Sequence, residues 1–129
     1  MEKATKKPLG TVLFVDDKAL ILEPLPRVFE HAGFRVLTAQ SGREALEILE
    51  GTPVDMIVAD YKMPEMNGLE LLTRVKQQYP DIRRAIGTGY MDELESYRTI
   101  SDNLVSNYFK KPWNEPSLHW ASIVSNPFC

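Results

Sequence analysis

Three aspartates, a threonine and a lysine stand at the ends of short apolar runs. Asp16 and Asp17 follow residues 11–15, Asp60 follows residues 54–59, Thr88 closes residues 84–88, and Lys111 follows residues 106–110. Carboxylates brought together from separate strands repel one another unless some hold protons or a cation shares the site. An all-oxygen, high-charge cluster suits a hard ion, and Mg2+ usually takes one or two carboxylates while keeping several waters. Aspartate is also a nucleophile able to form an aspartyl-phosphate. Phosphoryl transfer asks little of a protein beyond positioned charge and an in-line approach. A lysine offers a point charge to a phosphoryl oxygen, and a threonine hydroxyl offers a hydrogen bond. The five side chains suit one chemistry if the fold brings them together.

The elements that must do so alternate along the chain. Residues 11–15, 34–38, 54–59, 84–88 and 106–110 read as strands, the third so apolar that both its faces must be covered. Between them, residues 19–32 carry Leu20, Leu22, Leu25, Val28 and Phe29 roughly along one side, with Gly33 as a C-terminal cap. Ser41 and Glu44 have the spacing of a capping box, opening a helix whose buried face is Ala45, Leu46, Ile48 and Leu49. Asn67 caps a helix with Leu69, Leu71, Leu72 and Val75, which Pro80 ends. Residues 92–102, closed by Asn103, and residues 115–125 complete the set. Pro24 and Pro26 each remove a helical hydrogen bond, so the first helix is expected to start late or to kink near Pro24. Five β-then-α units predict a parallel sheet wrapped by helices, with right-handed crossovers and a site beyond the carboxyl ends of the strands.

The 129 residues fit one domain, here residues 9–125, with residues 1–8 as a flexible N-terminal arm and 126–129 as a C-terminal tail. A net charge of −3 provides no general field for nucleic acid or an anionic membrane surface. No apolar run approaches the roughly 20 residues that cross a bilayer. A single cysteine, Cys129, forms no internal disulfide and fits a cytoplasmic setting. His31 and His119 lack partners at ligand spacing and read as ordinary surface or boundary residues.

Four segments carry a resemblance to a known family: Val12-Leu13-Phe14-Val15-Asp16-Asp17, the run from Ala59 to Gly68, Thr88-Gly89-Tyr90, and Lys111-Pro112-Trp113. With 43 residues from Asp17 to Asp60 and 51 from Asp60 to Lys111, the chain resembles the CheY-like receiver domains of two-component response regulators over about residues 9–125. The resemblance implies a flavodoxin-like, doubly wound single domain: five parallel strands in the order 2-1-3-4-5. It implies that Asp60 is phosphorylated from a phosphohistidine on a histidine kinase or histidine phosphotransfer protein. Asp17, Asp60 and the backbone carbonyl of Lys62 would ligate Mg2+, with Asp16 acting mainly through water. Lys111 would pair with the phosphoryl group. Thr88, followed by Gly89, would swing toward it, and Tyr108 would follow as the aromatic switch. That movement would alter the surface of the fourth helix, fifth strand and fifth helix, through which a homodimer could form. No cofactor besides Mg2+, no nucleic acid and no membrane contact is implied. Catalysis would be limited to self-phosphorylation and self-dephosphorylation.

Each residue also has a plainer reading. Adjacent aspartates after a strand commonly make a turn or helix cap. Thr88 and Tyr108 are ordinary strand formers, and Trp113 and Trp120 suit packing as well as a partner surface. By the same resemblance, Lys62 and Tyr90, two residues beyond Asp60 and Thr88, would overhang the site and are expected to slow hydrolysis of the acyl phosphate. Rival functions share parts of this chemistry or fold, a flavin carrier being set aside because the loop after the first strand lacks the Ser/Thr/Gly-rich composition a phosphate would need. A phosphatase of the haloacid-dehalogenase type would place its nucleophile after the first strand. A non-phosphorylated receiver fold would serve only as an interaction module.

Overall fold

Two strands apolar along almost their whole length make the middle of the sheet, and they end in the residues of interest. The computed structural model describes residues 10–88, 104–105 and 107–110, the side chains of 88 and 107–110 excepted. β1 (Thr11–Val15) and β3 (Met56–Asp60) are buried at every position. They pair in parallel, Val15 opposite Ala59. β2 (Arg35–Ala39) lies on the other side of β1 and β4 (Arg83–Thr88) beyond β3, giving the parallel order β2-β1-β3-β4. The backbone of β5 (Asn107–Lys110) pairs in parallel with β4, Thr88 opposite Lys110.

Burial on both faces explains the apolar runs. Leu13, Val15, Ile57 and Ala59 belong to one buried cluster, with Ala45, Leu49, Leu71, Leu72 and Val75. The alternate residues Val12, Phe14, Met56 and Val58 belong to a second, with Leu22, Leu25 and Phe29. Successive strand side chains point to opposite faces, so each central strand serves both clusters. Phe29 anchors the second, its ring 5.1 Å from Phe14 and 6.0 Å from Phe34.

β1 starts where the sequence reading placed it, β2, β3 and β4 start one or two residues away, and Asp55 explains the largest shift. Val54 is buried but precedes the ladder. At Asp55 the carboxylate accepts from the Thr11 N–H at 2.8 Å, and the Asp55 N–H donates to the Thr11 carbonyl. The Asp55 carbonyl accepts from the Arg83 N–H. One residue thereby aligns the starts of β1, β3 and β4. The Arg84 guanidinium, whose pKa burial lowers, donates to the carbonyls of Leu104 at 2.6 Å and Ile82 at 2.8 Å.

The first helix neither starts late nor runs through. It forms as α1 (Ala19–Leu22) and, after a break at Glu23 and Pro24, α2 (Leu25–His31), with Pro26 in the opening turn of the second piece. The disturbance expected near Pro24 is thus a break in the helical hydrogen bonding, with Glu23 and Pro24 still in the right-handed helical region. Gly33 closes α2 at φ 105°, where glycine escapes the steric penalty. Its N–H reaches Glu30 O and that of Phe34 reaches Phe29 O, a Schellman ending. α3 (Gly42–Gly51) is capped by the Ser41 hydroxyl, which accepts from the Glu44 N–H at 3.1 Å. The expected reciprocal bond is displaced by one residue: Glu44 accepts from the Gln40 N–H, not from that of Ser41. α4 (Gly68–Gln78) has the complete box, Asn67 with Glu70. The expected helices over 92–102 and 115–125, with Asn103, Trp113, Trp120 and His119, lie outside the described residues, as do the arm and the tail.

The loop from β3 to α4 is tightly folded. Glu65 has φ 68° in a γ-turn, the Met66 N–H donating to Pro64 O at 2.7 Å. The loop closes as the Gly68 N–H meets the Tyr61 carbonyl at 2.9 Å. A Cβ on Gly68 would lie 2.6 Å from the Asp60 carbonyl oxygen, a backbone atom that cannot simply rotate away. Gly68→Ala is expected to cost about 1–3 kcal/mol through this overpacking. Urea unfolding reads it as a lowered midpoint. An unchanged or raised midpoint would mean that alanine's better helix propensity prevails and the loop retreats freely.

Candidate functional site: an acidic cluster at the carboxyl ends of the strands

The register of the two central strands fixes the heart of the site. Because Val15 lies opposite Ala59, the next residues, Asp16 and Asp60, leave adjacent strands side by side. Asp17 follows, and one carboxylate oxygen from each of Asp16, Asp17 and Asp60 lies within 4.8 Å of the others. Asp16 is fully buried, Asp60 almost so, and Asp17 partly exposed. The Asp16 N–H donates to Ala39 O at 3.1 Å, extending the β1–β2 ladder to the acid itself. Its carboxylate accepts from the Lys18 N–H at 2.9 Å, which turns the chain toward α1. The Tyr61 N–H donates to Gly87 O at 3.2 Å and anchors the exit from β3.

The donor set fits a hard divalent cation. All three groups are carboxylates, and Asp17 Oδ1 is a buried oxygen that accepts no hydrogen bond, with the Lys18 ammonium 3.7 Å away. Such an arrangement concentrates negative charge and leaves acceptor capacity directed into the cluster. The fit rests on these oxygens.

The remaining expected residues divide between backbone placement and no description. Asp60 pairs with Gly87, so Thr88 stands one residue beyond it on the neighbouring strand, at the same sheet edge. Thr88 in turn pairs with Lys110, and Tyr108 pairs with Ile86. Lys62 is exposed, one residue beyond Tyr61. Gly89, Tyr90 and Lys111 lie outside the described residues. The sequence reading assigned no role to Lys18 or Gly68. The first touches both aspartates of the β1 end, a contact its position directly after Asp17 could have indicated. The second is the only residue type whose lack of a Cβ allows α4 to begin against the Asp60 carbonyl, and the Asn-Gly pair was the available signal.

The geometry also separates the three acids. Asp16 is enclosed and has one oxygen engaged by the Lys18 N–H, a poor presentation for the nucleophile of a dehalogenase-like phosphatase. Asp60 ends the central strand at the cluster, followed by the tightly closed loop.

Comparison with known proteins agrees with this architecture. The family model of the response regulator receiver domain matches residues 12–122. The hydrogenase transcriptional regulatory protein HoxA of Cupriavidus necator is 36% identical over 104 residues, which are 81% of this chain and 21% of HoxA. The chain thus spans about a fifth of the length of that relative. Among solved structures, the signal receiver domain of an HD domain-containing protein from Pseudomonas fluorescens superposes with a TM-score of 0.79 at 27% identity, covering 95% of this chain and 98% of that one. The response regulator TrrA of Thermotoga maritima, solved with Mg(2+)-BeF, gives a TM-score of 0.70 at 28% identity, covering 81% and 89%. Parallel strands ending in convergent aspartates, together with a family match along most of the chain, establish that this protein belongs to the response regulator receiver domain family.

Proposed function

We propose that the chain is a working phospho-acceptor, with Asp60 the residue modified. The carrying observation is the convergence of Asp16, Asp17 and Asp60 within 4.8 Å. An oxygen of the Asp60 carboxylate attacks the phosphorus of a phosphohistidine on a histidine kinase or histidine phosphotransfer protein. The P–N bond breaks, and the imidazole nitrogen leaves with its electron pair. Asp17 and Asp60, the Lys62 carbonyl and, through water, Asp16 would hold Mg2+. When bound, the ion supplies positive charge that offsets the carboxylates as an anionic phosphoryl group approaches.

Lys111 pairs with the transferred group, and Thr88 turns its hydroxyl toward it. Tyr108 then follows, and the surface built on the expected helix over 92–102, β5 and the expected helix over 115–125 of a complete five-stranded, doubly wound domain changes. This is a phosphate-driven bias on a two-state element, and a homodimer through that surface is one assembly it can control. Its catalysis is limited to its own phosphorylation and dephosphorylation, and it does its work in the cytoplasm.

Treatment with acetyl phosphate and MgCl2 is expected to add one phosphoryl group by intact-mass measurement, with none added in Asp60→Asn or in the presence of EDTA. Equal modification of the Asp60→Asn variant would overturn the assignment, as would a wild type that stays unmodified. Turnover of a chromogenic phosphate ester lost in Asp16→Asn but kept in Asp60→Asn would instead favour the phosphatase reading.

Lys62 and Tyr90 are further proposed to obstruct the water that hydrolyses the acyl phosphate, giving a long-lived signal. Lys62→Ala and Tyr90→Ala should each speed loss of phosphate by about threefold or more, a barrier lowered by at least roughly 0.6 kcal/mol. Rapid decay in the wild type, unaltered in both variants, would remove that role.

A further inference from the structure

At the opposite end of the sheet, where β3 and β4 begin, a groove of about 590 Å³ runs between the last turns of α3 and α4. Leu49, Val54, Tyr79 and Ile82 line it with apolar surface, and the exposed carboxylates of Glu50 and Asp81 stand at its edges. No lysine or arginine lines it. Neither carboxylate has an ion pair among the described residues.

The placement of these acids runs against local helix electrostatics. The C-terminus of a helix carries the negative end of the macrodipole, where cations stabilise and anions do not. α3 nevertheless ends with Glu50 in its last turn and no basic residue there. Asp81 follows the end of α4 by three residues. Two negative helix ends and two carboxylates thus face one apolar trough. α4 has Lys76 in its last turn, but α3 has no basic residue to offset Glu50, and a local rule broken in this way is characteristic of a surface shaped for something else. Nearby backbone already shows the matching chemistry: the Pro80 and Ile82 carbonyls accept from the Arg84 guanidinium, which does not itself line the groove.

We infer that this groove docks a cationic segment of a partner protein, in which lysine or arginine flanks an aliphatic or aromatic anchor. The anchor covers the trough while the flanking cations meet Glu50, Asp81 and the exposed carbonyl ends of α3 and α4. The inference stands apart from the phospho-acceptor reading, since no residue of the aspartate cluster takes part.

The test uses the full chain, 15N-labelled, titrated with the peptide acetyl-Lys-Arg-Leu-Phe-Lys-Arg-amide and with its counterpart bearing glutamate at the four basic positions. The basic peptide should produce saturable amide shifts at Gly51, Thr52, Val54, Gln78, Asp81 and Ile82, and the acidic one none. The exposed double substitution Glu50→Lys/Asp81→Lys should weaken binding by at least about tenfold, and added salt should weaken it too. Three outcomes would overturn the inference. One is the absence of saturable shifts, or shifts confined to Asp16, Asp17 and Asp60. The second is groove amides that move on dilution of the protein alone, which would identify a second copy as occupant. The third is movement of those amides on deletion of residues 1–8 without peptide, which would identify the chain's own lysine-bearing arm.

Discussion

Three carboxylates held closer together than water would leave them are the constraint around which the carboxyl end of this sheet is organised. Like charges brought together in this way repel one another unless a cation shares the site or some of them hold protons. Such a cluster persists only where the surrounding structure leaves the acids nowhere else to go. Parallel pairing does this directly. Neighbouring strands lie about 4.8 Å apart, so aspartates placed one residue beyond a matched pair are neighbours by construction.

The opposing stabilisation comes from the same two strands. Every residue of β1 and β3 up to the acids is buried, and alternate side chains feed two clusters on opposite faces. A one-residue slip of either strand would exchange the faces of all its side chains and at the same time separate Asp16 from Asp60. Register, core and site are therefore one requirement. Asp55 contributes at the far end, bonded to Thr11 and Arg83, where it sets the starting level of three strands.

This is why so much was legible from the residues. A run such as Met56-Ile57-Val58-Ala59 has no solvent face, and its shortness and β-branched residues favour a central strand, which puts the aspartate at its end on the carboxyl side of the sheet. The Asn67–Glu70 cap was readable because its chemistry is local. What escaped the sequence was whatever depended on approach between distant backbone atoms. The contact of Gly68 with the Asp60 carbonyl is such a case, as is the shift of Glu44 from Ser41 to Gln40. The prolines were legible as a disturbance but not as its form. A single kinked helix and two short ones remove the same hydrogen bonds, and either can carry Leu22, Leu25 and Phe29 into the one cluster they share.

That interruption makes the two sides of the acidic cluster physically unlike. On the β3 side, Asp60 is followed by Tyr61 bonded to Gly87, by a γ-turn, and by an eleven-residue capped helix that begins in contact with the Asp60 carbonyl. On the β1 side, Asp16 and Asp17 lead into a helix of four residues with no side-chain cap. Short helical segments are marginal without tertiary support, and α1 buries only Leu22. Asp16 is still tied by its backbone N–H to Ala39 and enclosed in the core, so the contrast falls on Asp17, which is partly exposed and has the Lys18 ammonium 3.7 Å away. A group entering the cluster would meet two enclosed carboxylates at the strand ends and a third on the side where the helical support is short.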